Sequence, residues 1–188
     1  PWFRHGPDTA RLGSALMIEG AFTALRAIEE HDLETLRLWR NQPHFRRFFR
    51  EHREISTTMQ KRWFETTVLS DPRTRMFAVV EKSTGRLLGA GGLCWIDWIN
   101  RTADFSLYIG ANDAYIDDIF APDAGKLLIE FGFGQLGLHR IWAEIYQNDV
   151  AKIALFQSLG LEPEGRHRHT AWKDGQWVDS LFFARIAP

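Results

Sequence analysis

Several clusters of residues in this chain are of types that do chemistry. Asp113, Asp117, Asp118 and Asp123 fall just before and inside a segment patterned as a helix. A helix start presents unpaired N–H groups and the positive end of the dipole, so it binds anions without side chains. Carboxylates crowded there oppose an anionic ligand, although Asp123 alone suits the dipole. Phe45-Arg46-Arg47-Phe48-Phe49-Arg50 adds local positive charge, fit either to attract an acidic ligand or to cover apolar surface with arginine stems. In Arg166-His167-Arg168-His169 strand alternation sends the two residue types to opposite faces, and the chain has no metal-ligand spacing. Trp95 and Trp98 are an odd number of residues apart, so one regular strand cannot turn both inward. One of them must be exposed, in a bulge or lining a cleft, which points to a ligand or to a dimer interface.

The 188 residues suit one domain with a substantial core. Twenty-three Lys+Arg against 24 Asp+Glu leave a net charge of −1, which gives no global attraction to nucleic acid or an anionic membrane. One cysteine, Cys94, excludes an intrachain disulfide and suits a reducing compartment. No apolar run reaches the ~20 residues of a membrane span, and a cytoplasmic location is expected. Residues 1–16 lack periodicity and an apolar signal core. They read as an N-terminal extension that docks Trp2 and Phe3, or as a remnant ahead of a natural start at Met17, with residues 17–188 as the single domain.

The positioning elements follow from periodicity. Phe22 to Ile28 alternates as a strand, and Asp32 is placed to cap a helix over Leu33 to Asn41. Thr57 and Gln60 form a capping box for a second helix through Val68, stopped by Asp71-Pro72. Strands are expected over Met76–Lys82, Leu87–Ile99 and Thr102–Ile109. Pro122 suits the first position of a helix running to about Gln135. A strand over Arg140–Tyr146, a helix over Asp149–Leu159 and two tail strands around Lys173-Asp174-Gly175 complete an α/β pattern with a mixed sheet.

That order resembles the GNAT acyltransferase superfamily, and within it the branch of ribosomal-protein alanine acetyltransferases. The strings that carry the resemblance are LRAIEEHDLETLRLWRNQP at 25–43, ADFSLYIG at 103–110, AGKLLIEFGFGQLGLHRIWAEI at 124–145, NDVAKIALFQSLGLEPEGRHR at 148–168 and KDGQWVDSLFF at 173–183. The resemblance implies a GNAT-like splayed mixed β-sheet flanked by helices, with the pantetheine of acetyl-CoA in the gap between its fourth and fifth strands. No metal is expected, since no metal-ligand spacing is present. The pyrophosphate would lie on the helix start near Ile119, Phe120, Ala121, Asp123 and Ala124. The family pattern there is (Arg or Gln)-x-x-Gly-x-(Gly or Ala); Ile116 and Ile119 replace its first residue and its glycine, and Asp117 and Asp118 add charge. Weakened acetyl-CoA binding is therefore expected.

The same resemblance assigns the remaining roles. Asn148 or Asp149 would contact the pantetheine arm. Phe156 stands where members often carry a tyrosine that protonates the departing thiolate, and phenylalanine cannot donate. Asp104 would serve as general base toward the acceptor amine. Backbone N–H groups of Leu107, Tyr108 and Ile109 would polarise the thioester carbonyl. Trp39, His44, Phe45, Trp95, Asp97 and Trp98 would wall the acceptor pocket. Two readings follow: an N-acetyltransferase acting on a peptide N-terminus or small-molecule amine by direct attack, or a GNAT-fold binding module that has lost acetyl-CoA.

Overall fold

A computed structural model describes residues 18–188, so the expectations for residues 1–16 and for Met17 lie outside the described residues. Among the described residues eight strands form one sheet: β1 (Ile18–Glu19), β2 (Thr23–Arg26), β3 (Arg75–Glu81), β4 (Leu87–Asp97), β5 (Thr102–Ile109), β6 (Arg140–Tyr146), β7 (Glu162–Lys173) and β8 (Gln176–Ile186). Their order is β1-β2-β3-β4-β5-β6-β8-β7. Every neighbouring pair is antiparallel except β5 and β6, which are joined through a helical crossover and run parallel. Their pairing stops early, at Thr102↔Arg140, Ala103↔Ile141 and Asp104↔Trp142. Phe105 to Ile109 continue without β6, so the sheet opens as a V between the expected strands.

Helices cover both faces. α1 (Leu33–Asn41), α2 (Pro43–Arg46) and α3 (Thr57–Trp63) lie over Ala78, Ala90 and Tyr108. α4 (Phe120–Glu130) and α5 (Val150–Ser158) lie over Phe77, Leu107 and Ile109 on the opposite face. Strand alternation thus divides the core in two. Among the described residues no helix is long and apolar enough to cross a membrane.

Three helix starts are capped or placed otherwise than the sequence predicts, each for a local reason. Asp32 does not cap α1 with its side chain; its carboxylate accepts from both terminal nitrogens of Arg26 at 2.6 and 2.8 Å and from the Glu29 N–H. Ser56, rather than Thr57, caps α3 by accepting from the Met59 N–H. α4 begins two residues before Pro122, because Asp117 holds the N–H groups that open the helix. A proline in the first turn removes an N–H that has no intrahelical partner, so its third position is tolerated.

The Arg26–Asp32 pair is buried, with side-chain exposures of 8% and 2%. Burial pushes the Asp32 carboxyl up, and the Arg26 hydrogen bonds and the Glu29 N–H outweigh this, holding it below its usual value. Asp32→Ala should therefore cost about 3–5 kcal/mol by stranding the Arg26 charge. A carboxylate with a lowered folded pKa stabilises above its unfolded value and loses that contribution as pH falls through the folded one. Denaturant titrations should show wild type and variant converging below about pH 4; a constant gap there would count against the ion pair.

Candidate active site

One face of the V gathers the groups that can act on an amine. Asp104 lies on β5 beside Trp142 of β6, so alternation puts Asp104, Ser106 and Tyr108 on the same side as Trp142, Glu144 and Tyr146. β4 contributes Trp95, which its bulge between Cys94 and Asp97 turns outward at φ 50°, half-exposed and stacked on Trp142 at 6.2 Å. Arg50 closes the group: its guanidinium lies 4.9 Å from the Trp95 ring, 3.0 Å from Glu144 and 3.8 Å from Asp104. Lys173 donates to the Phe49 carbonyl oxygen and sits over the Tyr146 ring.

Asp104 is the unusual member. Burial pushes its carboxyl up to about 7, against the lowering charges of Arg50 and Lys152 and with a further lift from Glu144. A carboxylate that titrates near neutrality is matched to taking a proton. The adjacent thiol of Cys94 is pushed by burial up to about 12 and is no nucleophile at neutral pH.

The other side of the gap offers a slot. Gly110 N–H donates to Leu88 of β4 and Ile109 N–H donates to the Tyr115 carbonyl. By alternation the Tyr108 N–H faces β4, leaving Leu107 as the expected donor that faces the gap beyond the last paired position. Asp149 caps α5 through the Lys152 N–H and accepts from the Tyr115 hydroxyl at 2.5 Å. Asn148 keeps a buried Oδ1 with no partner among the described residues, so it is the member of that pair with an unengaged acceptor there. Phe156 is fully buried, edge-on to Phe105 and Phe183, in the core. A groove of about 350 Å³ runs between Ile116–Asp118 and the Ala151–Ala154 face of α5.

At the start of α4 the carboxylates divide the work. Asp117 Oδ1 accepts from the N–H groups of Ile119, Phe120 and Ala121 at 2.5–3.3 Å, filling the nest with the chain's own anion. Its Oδ2 is buried without a partner among the described residues. Asp123 turns away from the nest and accepts from the N–H groups of Ala21, Phe22 and Thr23 and from the Thr23 hydroxyl, pinning α4 to the start of β2. Ile119 is exposed, and Ala121 and Ala124 are fully buried in the core.

The structure brings some of the acceptor residues together and not others. Trp39 packs on the end of β5, where a Cβ on Gly110 would lie 2.0 Å from its ring. Phe45 is fully buried against Tyr115, and His44 bonds Asp113 at 2.7 Å on the surface. Asp97 closes its own turn by accepting from Ile99 and Asn100, and Trp98 donates to the Pro72 carbonyl, so both serve the β4–β5 turn and not the chamber. Glu144, Lys152 and Arg50's inward reach were missed. The period-two pattern of Arg140–Tyr146 already placed Trp142, Glu144 and Tyr146 on one face and carried that signal.

An acetyltransferase (GNAT) domain model matches residues 23–162. The chain belongs to the GNAT acetyltransferase family. It is 30% identical over 110 residues to an uncharacterized N-acetyltransferase p20 of Bacillus licheniformis, a match covering 58% of this chain and 61% of that protein. It is 25% identical over 158 residues to a spermidine N(1)-acetyltransferase of Escherichia coli, covering 84% and 82%. A Vibrio cholerae spermidine N-acetyltransferase solved with CoA and spermine superposes with a TM-score of 0.79 at 22% identity, covering 87% and 95%. These relatives support the superfamily and give no support to the narrower ribosomal-protein branch. The GNAT donor is acetyl-CoA: the orphaned Asn148 Oδ1, the Leu107 edge and the α5 groove fit its pantetheine arm, whereas the α4 amides, where the sequence resemblance puts its diphosphate, already hold Asp117.

Two outcomes follow. Asp117→Asn keeps a capping oxygen and removes the competing charge, so CoA should bind about tenfold tighter by calorimetry, about 1.4 kcal/mol; unchanged or weaker binding would place the diphosphate elsewhere. Asp104 has a raised folded pKa, so between about pH 4 and 7 the folded chain keeps a proton that the unfolded chain loses, and stability falls as pH rises. Relative to wild type, Asp104→Asn should gain on the order of 3–4 kcal/mol between pH 4 and pH 8 in denaturant titrations; a flat difference would refute the buried acid.

Proposed function

We propose that this protein is an N-acetyltransferase that moves the acetyl group of acetyl-CoA onto a primary amine by direct attack, with Asp104 as the general base. The observation that carries this reading is a buried carboxylate titrating at about 7, on the strand edge where the sheet opens. Acetyl-CoA supplies an acetyl thioester, whose C–S bond breaks as the new C–N bond forms and whose sulfur leaves as thiolate.

The chain's own groups do the rest. Asp104 accepts the proton that the attacking nitrogen must lose, and Glu144 and Trp95 hold the amine against it. The Leu107 N–H polarises the carbonyl oxygen from the gap. Asn148 fixes the donor arm through its free Oδ1. Phe156 supplies no proton, so the leaving thiolate is protonated by water or another group. The spermidine acetyltransferases among the relatives support a small-molecule amine as acceptor and favour the enzyme over a non-catalytic binding module.

A base must be unprotonated to act, so turnover should rise with pH through about 7 in wild type. Asp104→Asn should lower kcat about 10²–10⁴-fold and abolish that acid limb, with CoA affinity little changed. An identical pH–rate profile in the variant would remove Asp104 from the mechanism.

A further inference from the structure

Asp104 and Glu144 are not the only charges at the mouth of the V. Arg50 pairs with Glu144 at 3.0 Å and lies 3.8 Å from Asp104. Arg40, on α1, lies over the Phe49 ring at 4.8 Å, and its Nε is buried with no hydrogen-bond partner among the described residues. Lys152, on α5, places its ammonium 5.1 Å from the centre of the Tyr115 ring. Phe49 meets Tyr108 and Tyr115 edge-on, so one aromatic cluster joins the two cations. Arg40 and Lys152 act on each other electrostatically, and Lys152 also feels Asp149, Asp104 and Arg50. Among the described residues neither forms an ion pair. Asp149 is engaged by the Tyr115 hydroxyl and by the backbone N–H of Lys152. Lys173 adds a fourth cation over Tyr146.

A buried guanidinium N–H without an acceptor destabilises the protein unless something completes it. Water or a ligand can do so, and a carboxylate does it best, through charge-assisted hydrogen bonds. We propose that the acceptor is a primary amine that carries a carboxylate, with its nitrogen at Asp104 and its carboxylate between Arg40 and Lys152. This rests on the acetyl-transfer reading and narrows its substrate. A second ammonium placed there would instead meet Arg40 and Lys152, with Glu144 already paired to Arg50 and Asp149 already engaged by Tyr115. That position thus selects against polycations by repulsion as well as for an anionic tail by attraction. A free amino acid and a peptide with an acidic side chain share this chemistry.

Acceptors of matched length and different tail charge test it: 4-aminobutyrate, butylamine and 1,4-diaminobutane, with longer homologues of each, spermidine, and an acidic dipeptide to separate the two sources. The carboxylate series should exceed the alkylamines at least about tenfold in kcat/KM, with diamines and spermidine lowest. Arg40→Gln and Lys152→Met should each collapse the ratio between the first two series, and Arg40→Lys should restore part of it. Diamines or spermidine as the best acceptors, or an unaltered ratio in both variants, would overturn the proposal. If no amine is acetylated, the acetyl-transfer reading fails separately. Calorimetry with the amino acids then still decides, since binding that Arg40→Gln removes would uphold the anion site and no binding to wild type would overturn it.

Discussion

The parallel pairing of β5 with β6 ends after Asp104, and the rest of the site depends on that ending. A parallel pair requires a crossover, which α4 supplies, and the crossover helix must pack on one face of the sheet. Once the ladder stops, Leu107 has a donor with no strand opposite it. The facing side chains of β5 and β6 then line an opening where a continued ladder would have closed it. Tyr115 folds back on Ile109 and limits how far that edge stays open, while its hydroxyl ties the loop to Asp149 at the head of α5. The last paired residue and the candidate base are therefore the same residue. Asp104 is fixed by the sheet on one side and faces the chamber on the other.

The four aspartates between β5 and the first turn of α4 show that residue type and position do not determine role. Asp113 is exposed and meets His44. Asp117 is drawn into the amide nest, Asp118 stays in solvent, and Asp123 points across the helix to β2. Their spacing alone predicts repulsion of a diphosphate. The folded arrangement puts one of those carboxylates on the α4 N–H groups themselves, so a diphosphate placed there would meet competition for donors and not repulsion alone. Asp123 also shows why a helix-favouring acid can be structural: four hydrogen bonds to the residues at the start of β2 outweigh the cost of its burial.

Much of the fold was legible because it rests on local periods. The limits of α1, β3, β4, β5 and β6 follow alternation and 3.6-residue spacing to within about two residues, the usual uncertainty of element ends. The V was legible only through resemblance, since nothing in Phe105–Ile109 marks where pairing stops. Helix starts were misplaced where a side chain two or three residues away took over the cap, as Ser56 and Asp117 do. The chamber was half legible. Asp104 stood out on its strand and Trp95 by parity, but Arg50 belongs to a run whose arginines face different ways. Lys152 and Arg40 come from helices on opposite faces of the sheet, and no sequence spacing joins them.

The electrostatics of Asp104 tie these parts together. Burial alone would hold the carboxyl protonated well above neutrality and make it a poor base at physiological pH. A bidentate arginine would do the reverse, pinning it as a carboxylate with little affinity for a proton. Arg50 does neither, because Glu144 takes its close contact and leaves it 3.8 Å from Asp104, beyond hydrogen-bond reach. Lys152 adds a second unbonded positive charge. The result is a carboxyl poised near 7 by charges that stabilise it without engaging its oxygens, which remain free to receive a proton. Glu144 thereby shapes the base indirectly, by where it holds Arg50, as well as by its own repulsion. A ligand carboxylate between Arg40 and Lys152 would offset part of the Lys152 charge and raise Asp104 further, so the acceptor that gives the base a stronger pull on a proton also lowers the fraction of it that is unprotonated at neutral pH.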